Sequence, residues 1–123
     1  MKTILQIEDN VANKLLVERV LEPHNYRLLH APDGETGVSL ALAEKPDLIL
    51  MDMGLPDIDG QTVVTLMRQI PELQNTPIIA LTAWPAATAL QMAQSYGCDG
   101  YIAKPIDVKN FPNLIAQYLE ETD

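Results

Sequence analysis

Four consecutive apolar residues, Leu48-Ile49-Leu50-Met51, run without polar alternation into a carboxylate, Asp52. The run is far too short for a membrane span and reads as a strand buried on both faces. In an open parallel sheet the carboxyl ends of the strands face the ligand crevice, so Asp52 is placed for chemistry rather than for packing. A loop aspartate capping the next helix is the plainer reading. It suits Asp57 or Asp59 better, since both lie in the turn just before Gly60.

The rest of the chain alternates strand and helix around that segment. Ile4 to Ile7 reads as a strand, followed by a helix over Val11 to Leu21 with Val11, Leu15, Leu16, Val20 and Leu21 at helical spacing and Pro23 as its stop. A second strand, Arg27 to Ala31, precedes a helix opened by Asp33-Gly34-Glu35. Its Val38, Leu40, Ala41 and Leu42 are expected to face inward. After the Asp52 strand, a helix from Gly60 to Ile70 turns Val63, Val64, Met67 and Ile70 to one side and ends at Pro71. Pro77 to Leu81 is the fourth strand. A helix from Ala86 to Tyr96 follows, poor in large aliphatics and closed by Gly97, and then a short strand, Gly100 to Ala103. Asp107 is expected to cap the last helix, with Val108, Phe111, Leu114, Ile115, Tyr118 and Leu119 as its apolar stripe and Pro112 in its first turn.

Helical crossovers of this length force parallel pairing with right-handed connections. The fold expected is a flavodoxin-like doubly wound α/β domain, a five-stranded parallel sheet in the order 2-1-3-4-5 with five helices, whose switch point lies between the first and third strands. With 123 residues the chain is expected to be a single domain, residues 1–123. A net charge of -9 and eight scattered Lys and Arg argue against direct nucleic-acid binding and favour divalent cations and basic partners. The single Cys98 is expected to be a small buried filler. No membrane span and no signal-peptide pattern is visible, so a cytoplasmic location is expected.

The order of strands brings three carboxylates together: Glu8 and Asp9 just after the first strand and Asp52 just after the third. Converging carboxylates repel one another unless a hard cation neutralises them, and Mg2+ suits an oxygen-only set. Taken alone, Asp9 or Asn10 could simply cap the following helix. Two further residues end strands at the same edge, Thr82 after the fourth and Lys104 after the fifth. A carboxylate nucleophile, a hydroxyl, an ammonium and a divalent metal are the parts needed to accept and hold a phosphoryl group. His24 and His30 are read as ordinary, one in a loop and one in a strand, neither at the carboxyl edge.

Over essentially its whole length the chain resembles the receiver domains of two-component response regulators. The resemblance rests on Ile7-Glu8-Asp9-Asn10, on Leu48-Ile49-Leu50-Met51-Asp52-Met53 with Leu55-Pro56 and Asp59-Gly60, on Ala80-Leu81-Thr82-Ala83, on Gly97 to Gly100, and on Lys104-Pro105. It is nearest to stand-alone receivers of the chemotaxis and cell-cycle kind, an expectation tied to the absence of an output domain after Asp123. The resemblance implies that Asp52 takes a phosphoryl group from a histidine of a sensor kinase or phosphotransfer protein. Glu8, Asp9, Asp52 and the carbonyl of Met53 would then hold Mg2+. It further implies that Lys104 pairs with the phosphoryl oxygens, that Thr82 donates its hydroxyl to one of them, and that Tyr101 is the switch aromatic. The Lys104-Pro105 bond is expected to be cis. Such a domain is a switch and not a turnover enzyme, signalling to a downstream effector through the face built from the fourth helix, the fifth strand and the last helix; homodimerisation stays open.

Two positions depart from the common pattern in ways that bear on timing. Gly54 and Trp84, each two residues beyond a reactive position, fall where side chains of this family tune hydrolysis of the acyl phosphate. Neither offers a polar group to orient water, so a long-lived phosphorylated state is expected. Glu8 stands where many relatives have Asp, which lengthens one metal arm. A phosphatase of the haloacid-dehalogenase type is disfavoured, since it needs Asp-x-Asp after the first strand. A flavodoxin-like cofactor binder is disfavoured too, because Glu8 and Asp9 would repel a phosphate there. A receiver fold used only for protein contacts ranks low because every reactive position is filled.

Overall fold

The computed structural model describes residues 1–53 and 59–121. Its strands are β1 (Thr3–Ile7), β2 (Arg27–Ala31), β3 (Leu48–Asp52), β4 (Ile78–Thr82) and β5 (Gly100–Ala103). Its helices are α1 (Val11–Leu21), α2 (Gly34–Glu44), α3 (Gly60–Arg68), α4 (Ala86–Tyr96) and α5 (Phe111–Glu121). The strands form one parallel sheet in the order β2-β1-β3-β4-β5, so the expected doubly wound topology is the observed one.

Alternation along each strand divides the core in two. Leu5, Ile7, Ile49, Met51, Ile78 and Ala80 face α2, α3 and α4, where Ala41, Val63, Val64, Met67 and Ala93 meet them. Ile4, Leu48, Leu50, Ile79 and Leu81 face α1 and α5, against Val17, Leu21, Phe111, Ile115 and Leu119. Both faces of β3 and β4 are therefore apolar, as double burial in a parallel sheet demands. Cys98 lies buried in the first of these clusters, and burial pushes its thiol up to about 11, which keeps it protonated.

Side chains at the helix starts decide where each helix begins. Asn10 Oδ1 accepts from Asn13 N at 3.0 Å, Asp33 Oδ1 from Thr36 N at 2.8 Å and Asp59 Oδ1 from Thr62 N at 2.9 Å. Asp59 is thus a cap, as expected, whereas Asp57 and Gly54 lie outside the described residues.

Four expectations need correction. Helix α3 stops at Arg68, because Ile70 turns extended and leads into a 3₁₀ turn over Pro71–Leu73. Val11 and Leu15 are 67% and 48% exposed; Val17 and Leu21 are the side chains that α1 buries. Leu42 points outward on α2, where close approach to the sheet falls to Gly34, Gly37 and Ala41; a Cβ on Gly37 would come within 2.5 Å of Ile7 Cδ1. Val108 belongs to the turn before α5, where Asp107 Oδ1 accepts from Lys109 N at 3.1 Å, and the buried stripe begins only at Phe111.

Helix α4 buries only Ala89 and Ala93, and Leu90 is 51% exposed. Its first residue follows Pro85, which offers no side-chain cap. Its last turn, by contrast, is pinned. Gly97 ends it at φ 94, a left-handed conformation that suits glycine. Arg68 Nε donates to the Gly97 carbonyl at 2.8 Å, and Arg68 Nη2 to Asp99 Oδ2 at 2.8 Å, the oxygen that also accepts from Ile78 N. Arg68 Nη1 donates to the carbonyls of Thr76, Leu73 and Gln74.

Arg68→Met should therefore cost about 2–4 kcal/mol in urea unfolding, since it strips charge-assisted bonds from several half-buried acceptors. Arg27→Ala, which removes an ion pair to Glu44 with side chains 47% and 36% exposed, should cost less than about 1 kcal/mol. Equal losses for the two variants would contradict this ranking.

Candidate functional site

The strand order decides what meets at the carboxyl edge. Strand β1 lies beside β3, so the residues that leave them come together: Glu8 and Asp9 on one side, Asp52 on the other. One carboxylate oxygen of each lies within 4.8 Å of the others. Glu8 and Asp52 are buried, at 1% and 4% exposure, while Asp9 is open to solvent. Because Asn10 caps α1, Asp9 is not consumed as a cap and is left for the crevice.

The opposite wall comes from the last two strands. Lys104 N donates to the Thr82 carbonyl at 2.9 Å, which continues the β4–β5 ladder by one residue. From that fixed base the Lys104 ammonium reaches across β4 and donates to Asp52 Oδ1 at 2.7 Å. The Lys104–Pro105 peptide is cis, as expected. Thr82 is buried, and its Oγ1 accepts from Trp84 N at 3.0 Å. A hydroxyl has one proton and two acceptor sites, so accepting that bond leaves its proton available. Trp84 and Pro85 border a groove of about 380 Å³ that also touches Asp52, Met53, Leu81, Ala83 and Lys104. The Trp84 ring packs edge-on against Tyr96 of α4, with centroids 5.7 Å apart.

Tyr101 lies on β5, half-buried against the α2–α3–α4 side of the core, and its carbonyl accepts from Tyr118 Oη at 3.4 Å. Its strand is separated from β3 by β4, and through β5 it adjoins α4. Met53 follows Asp52 directly and donates its N–H to the Leu81 carbonyl at 3.4 Å.

Electrostatics single out Glu8. Its pKa is pushed up to about 7, first by burial and then by the hydrogen bond and the charge of Asp52; Asn10 N and the Lys104 ammonium pull the other way. Glu8 Oε1 is buried without a hydrogen-bond partner among the described residues. A hard cation would satisfy that oxygen and relieve the repulsion. All donors here are oxygens, and opposite ligands in an Mg2+ octahedron stand about 4.2 Å apart, so small side-chain shifts or a bridging water suffice. The residues present fit a divalent cation.

His30 belongs to this neighbourhood, contrary to expectation. It pairs with Gln6 in the β1–β2 register, and its Nε2 lies 2.7 Å from the Glu8 carbonyl oxygen. No sequence signal places it there, because the contact depends on the β1–β2 register, which sets His30 level with Gln6, two residues before Glu8.

Comparison with known proteins agrees with this geometry. The family model described as response regulator receiver domain matches residues 4–116. The polar-differentiation response regulator DivK of Brucella anthropi is 35% identical over 118 residues, covering 96% of each chain. The receiver domain of sensor histidine kinase PA1611 from Pseudomonas aeruginosa, solved with a magnesium ion coordinated in its active-site cleft, is 32% identical with TM-score 0.84 over 97% of this chain and 98% of that one. A response-regulator structure from Chloroflexus aurantiacus superposes with TM-score 0.90 at 28% identity, over 97% and 98% of the two chains. Fold, sequence and the acidic crevice agree, and the chain belongs to the response regulator receiver domain family, whose members are signalling switches rather than turnover enzymes.

Proposed function

We propose that residues 1–123 act as a single phosphorylation switch, with Asp52 accepting a phosphoryl group from a phosphohistidine of a sensor kinase or phosphotransfer protein. The observation that carries this reading is the Lys104 ammonium 2.7 Å from Asp52 Oδ1, at a crevice shared with Glu8 and Asp9. A carboxylate oxygen of Asp52 attacks phosphorus, the phosphorus–nitrogen bond breaks, and the imidazole leaves with the electron pair and is protonated. Lys104 holds Asp52 in place and then neutralises phosphoryl oxygens; Thr82 donates its free proton to one of them. Glu8, Asp9, Asp52 and the Met53 carbonyl would hold Mg2+, which when bound neutralises the carboxylates and the charge on the transferring group.

The new dianion at Asp52 gives Thr82 and Lys104 a reason to shift, and α4 is the element they bias, with Tyr101 as the accompanying aromatic. Its burial of only two alanines and its uncapped start keep the packing cost of moving it low. A downstream effector protein then reads the face of α4, β5 and α5, with homodimerisation as an alternative use of the same face. A site built to trade phosphoryl groups with a kinase, in a chain where no described helix is long and apolar enough to cross a membrane, suits a cytoplasmic protein. Trp84 beside the crevice, with Gly54 two residues past Asp52, supports a slow loss of the phosphoryl group, because glycine has no side chain and the indole offers no acceptor for a proton of a hydrolytic water.

Incubation with Mg2+ and a small phosphodonor should add one phosphoryl group by intact mass and change Trp84 fluorescence. Asp52→Ala should abolish both, and a mass gain surviving that variant would sink the assignment. Lys104→Ala should slow phosphorylation about 10- to 100-fold, the worth of one charge-assisted bond. The pH dependence follows from Glu8. Its folded pKa of about 7 exceeds the ordinary carboxyl value of 4.5, so the native state binds more protons than the unfolded one between those values. Its contribution is fully present below about 4.5 and lost as pH rises through 7. In chelator, the melting temperature should fall by a few degrees across that window, and Glu8→Gln should flatten the dependence.

A further inference from the structure

The carboxyl of Glu8 is buried beside another carboxylate, held there by one long hydrogen bond, from Asn10 N to Oε2 at 3.3 Å, while Oε1 has no partner among the described residues. Strand β1 ends at Ile7, and α1 begins only at Val11 under its own cap, so the peptide between them is outside both hydrogen-bonded elements. A free peptide at that point would rotate and let Glu8 swing into water, where its charge costs least. Two bonds prevent it. Glu8 N donates to the Ala31 carbonyl at 2.9 Å, and the Glu8 carbonyl accepts from His30 Nε2 at 2.7 Å. A carbonyl oxygen can only accept, so the ring must carry its proton on Nε2. The first bond is a main-chain contact that any sequence could make; the second depends on one side chain.

We propose that His30 is a positioning residue of the cation site: by holding the Glu8 carbonyl it keeps the Glu8 carboxyl in the crevice and so sets the affinity for a divalent cation. This rests on the reading of Glu8, Asp9 and Asp52 as cation ligands. Residue 30 stands on β2, in register with Gln6, and the imidazole is a rigid ring with a donor at its far end. It crosses from the neighbouring strand to a carbonyl just beyond the ladder. A partner that orients a ligand from behind is commonly worth a factor of about 10–100 in metal affinity.

The test uses the full chain and four proteins: the unaltered one, His30→Leu, His30→Gln and His30→Asn. Gln places an N–H donor near the position of Nε2, whereas Asn places it near Nδ1, too short to reach. Mg2+ affinity is measured by calorimetry, and the melting temperature is measured in chelator. Expected is a loss of about tenfold in Mg2+ affinity for Leu and Asn, with Gln within about threefold of the unaltered protein. A merely structural histidine would lower the melting temperature of Leu and Asn in chelator and leave the affinity of every folded variant unchanged, which overturns the proposal. Gln as weak as Asn would overturn it as well, since the donor would then be irrelevant; this comparison stands even if the Leu variant fails to fold. An unaltered protein that takes up no Mg2+ removes the cation reading itself, a result distinct from either.

Discussion

The ion pair between Lys104 and Asp52 is the contact on which the arrangement of the carboxyl edge depends. Two carboxyl groups with almost no solvent exposure, Glu8 and Asp52, sit together there. Removing an ion from water costs several kcal/mol even after the protein relaxes, so such a pair needs a counter-charge, a proton or a cation. Lys104 supplies part of the first, and it does so from a fixed base, because its own N–H is bonded to Thr82. The ammonium therefore does not choose its position; the β4–β5 register chooses it. Glu8 meets the remainder of the demand by holding a proton up to about pH 7, which is the state a divalent cation would replace.

The same edge is rigid on one side and loose on the other. Around α4 the far end is fixed by Arg68, which reaches Gly97, Asp99 and three carbonyls of the α3–β4 connection. The near end has a proline before it, small buried residues and an exposed leucine. A helix held at one end and weakly packed at the other pivots more cheaply than it translates, since pivoting leaves the charged anchor intact. The anchor also fixes Asp99 against Ile78, so the start of β4 is tied to the pinned end of α4.

Periodicity, punctuation and the fold they suit were enough to read the sheet order, the five helices and the residues Glu8, Asp9, Asp52, Thr82 and Lys104 at one edge. The elements follow from alternation and stop signals and the parallel pairing from the crossovers, while the order came from the flavodoxin-like arrangement that five strands and five helices of this length suit. What stayed hidden came from contacts between segments distant in sequence. Val11 and Leu15 have the right spacing for a buried stripe, yet the sheet meets α1 on the Val17–Leu21 side, and a single helix cannot reveal which of two apolar flanks is covered. The bond from His30 to Glu8 needs the β1–β2 register, which a pattern of apolar residues leaves open. Arg68 reads as an ordinary end-of-helix cation until the carbonyls of the following turn are placed around it.

Thr82 joins the two halves of this picture. Its oxygen accepts from Trp84 N, and the Trp84 ring lies against Tyr96 in the last turn of α4. A hydroxyl whose oxygen moves toward a new acceptor at Asp52 either keeps the Trp84 amide as donor or abandons it. Abandoning it leaves a half-buried N–H without an acceptor, at a cost of about 1–3 kcal/mol. Keeping it draws the backbone at Trp84 along, and with it the indole that rests on Tyr96. Turning the proton alone leaves the Trp84 bond intact, but any movement of the oxygen toward charge at Asp52 disturbs the entry to α4, the end of that helix which no side-chain cap holds.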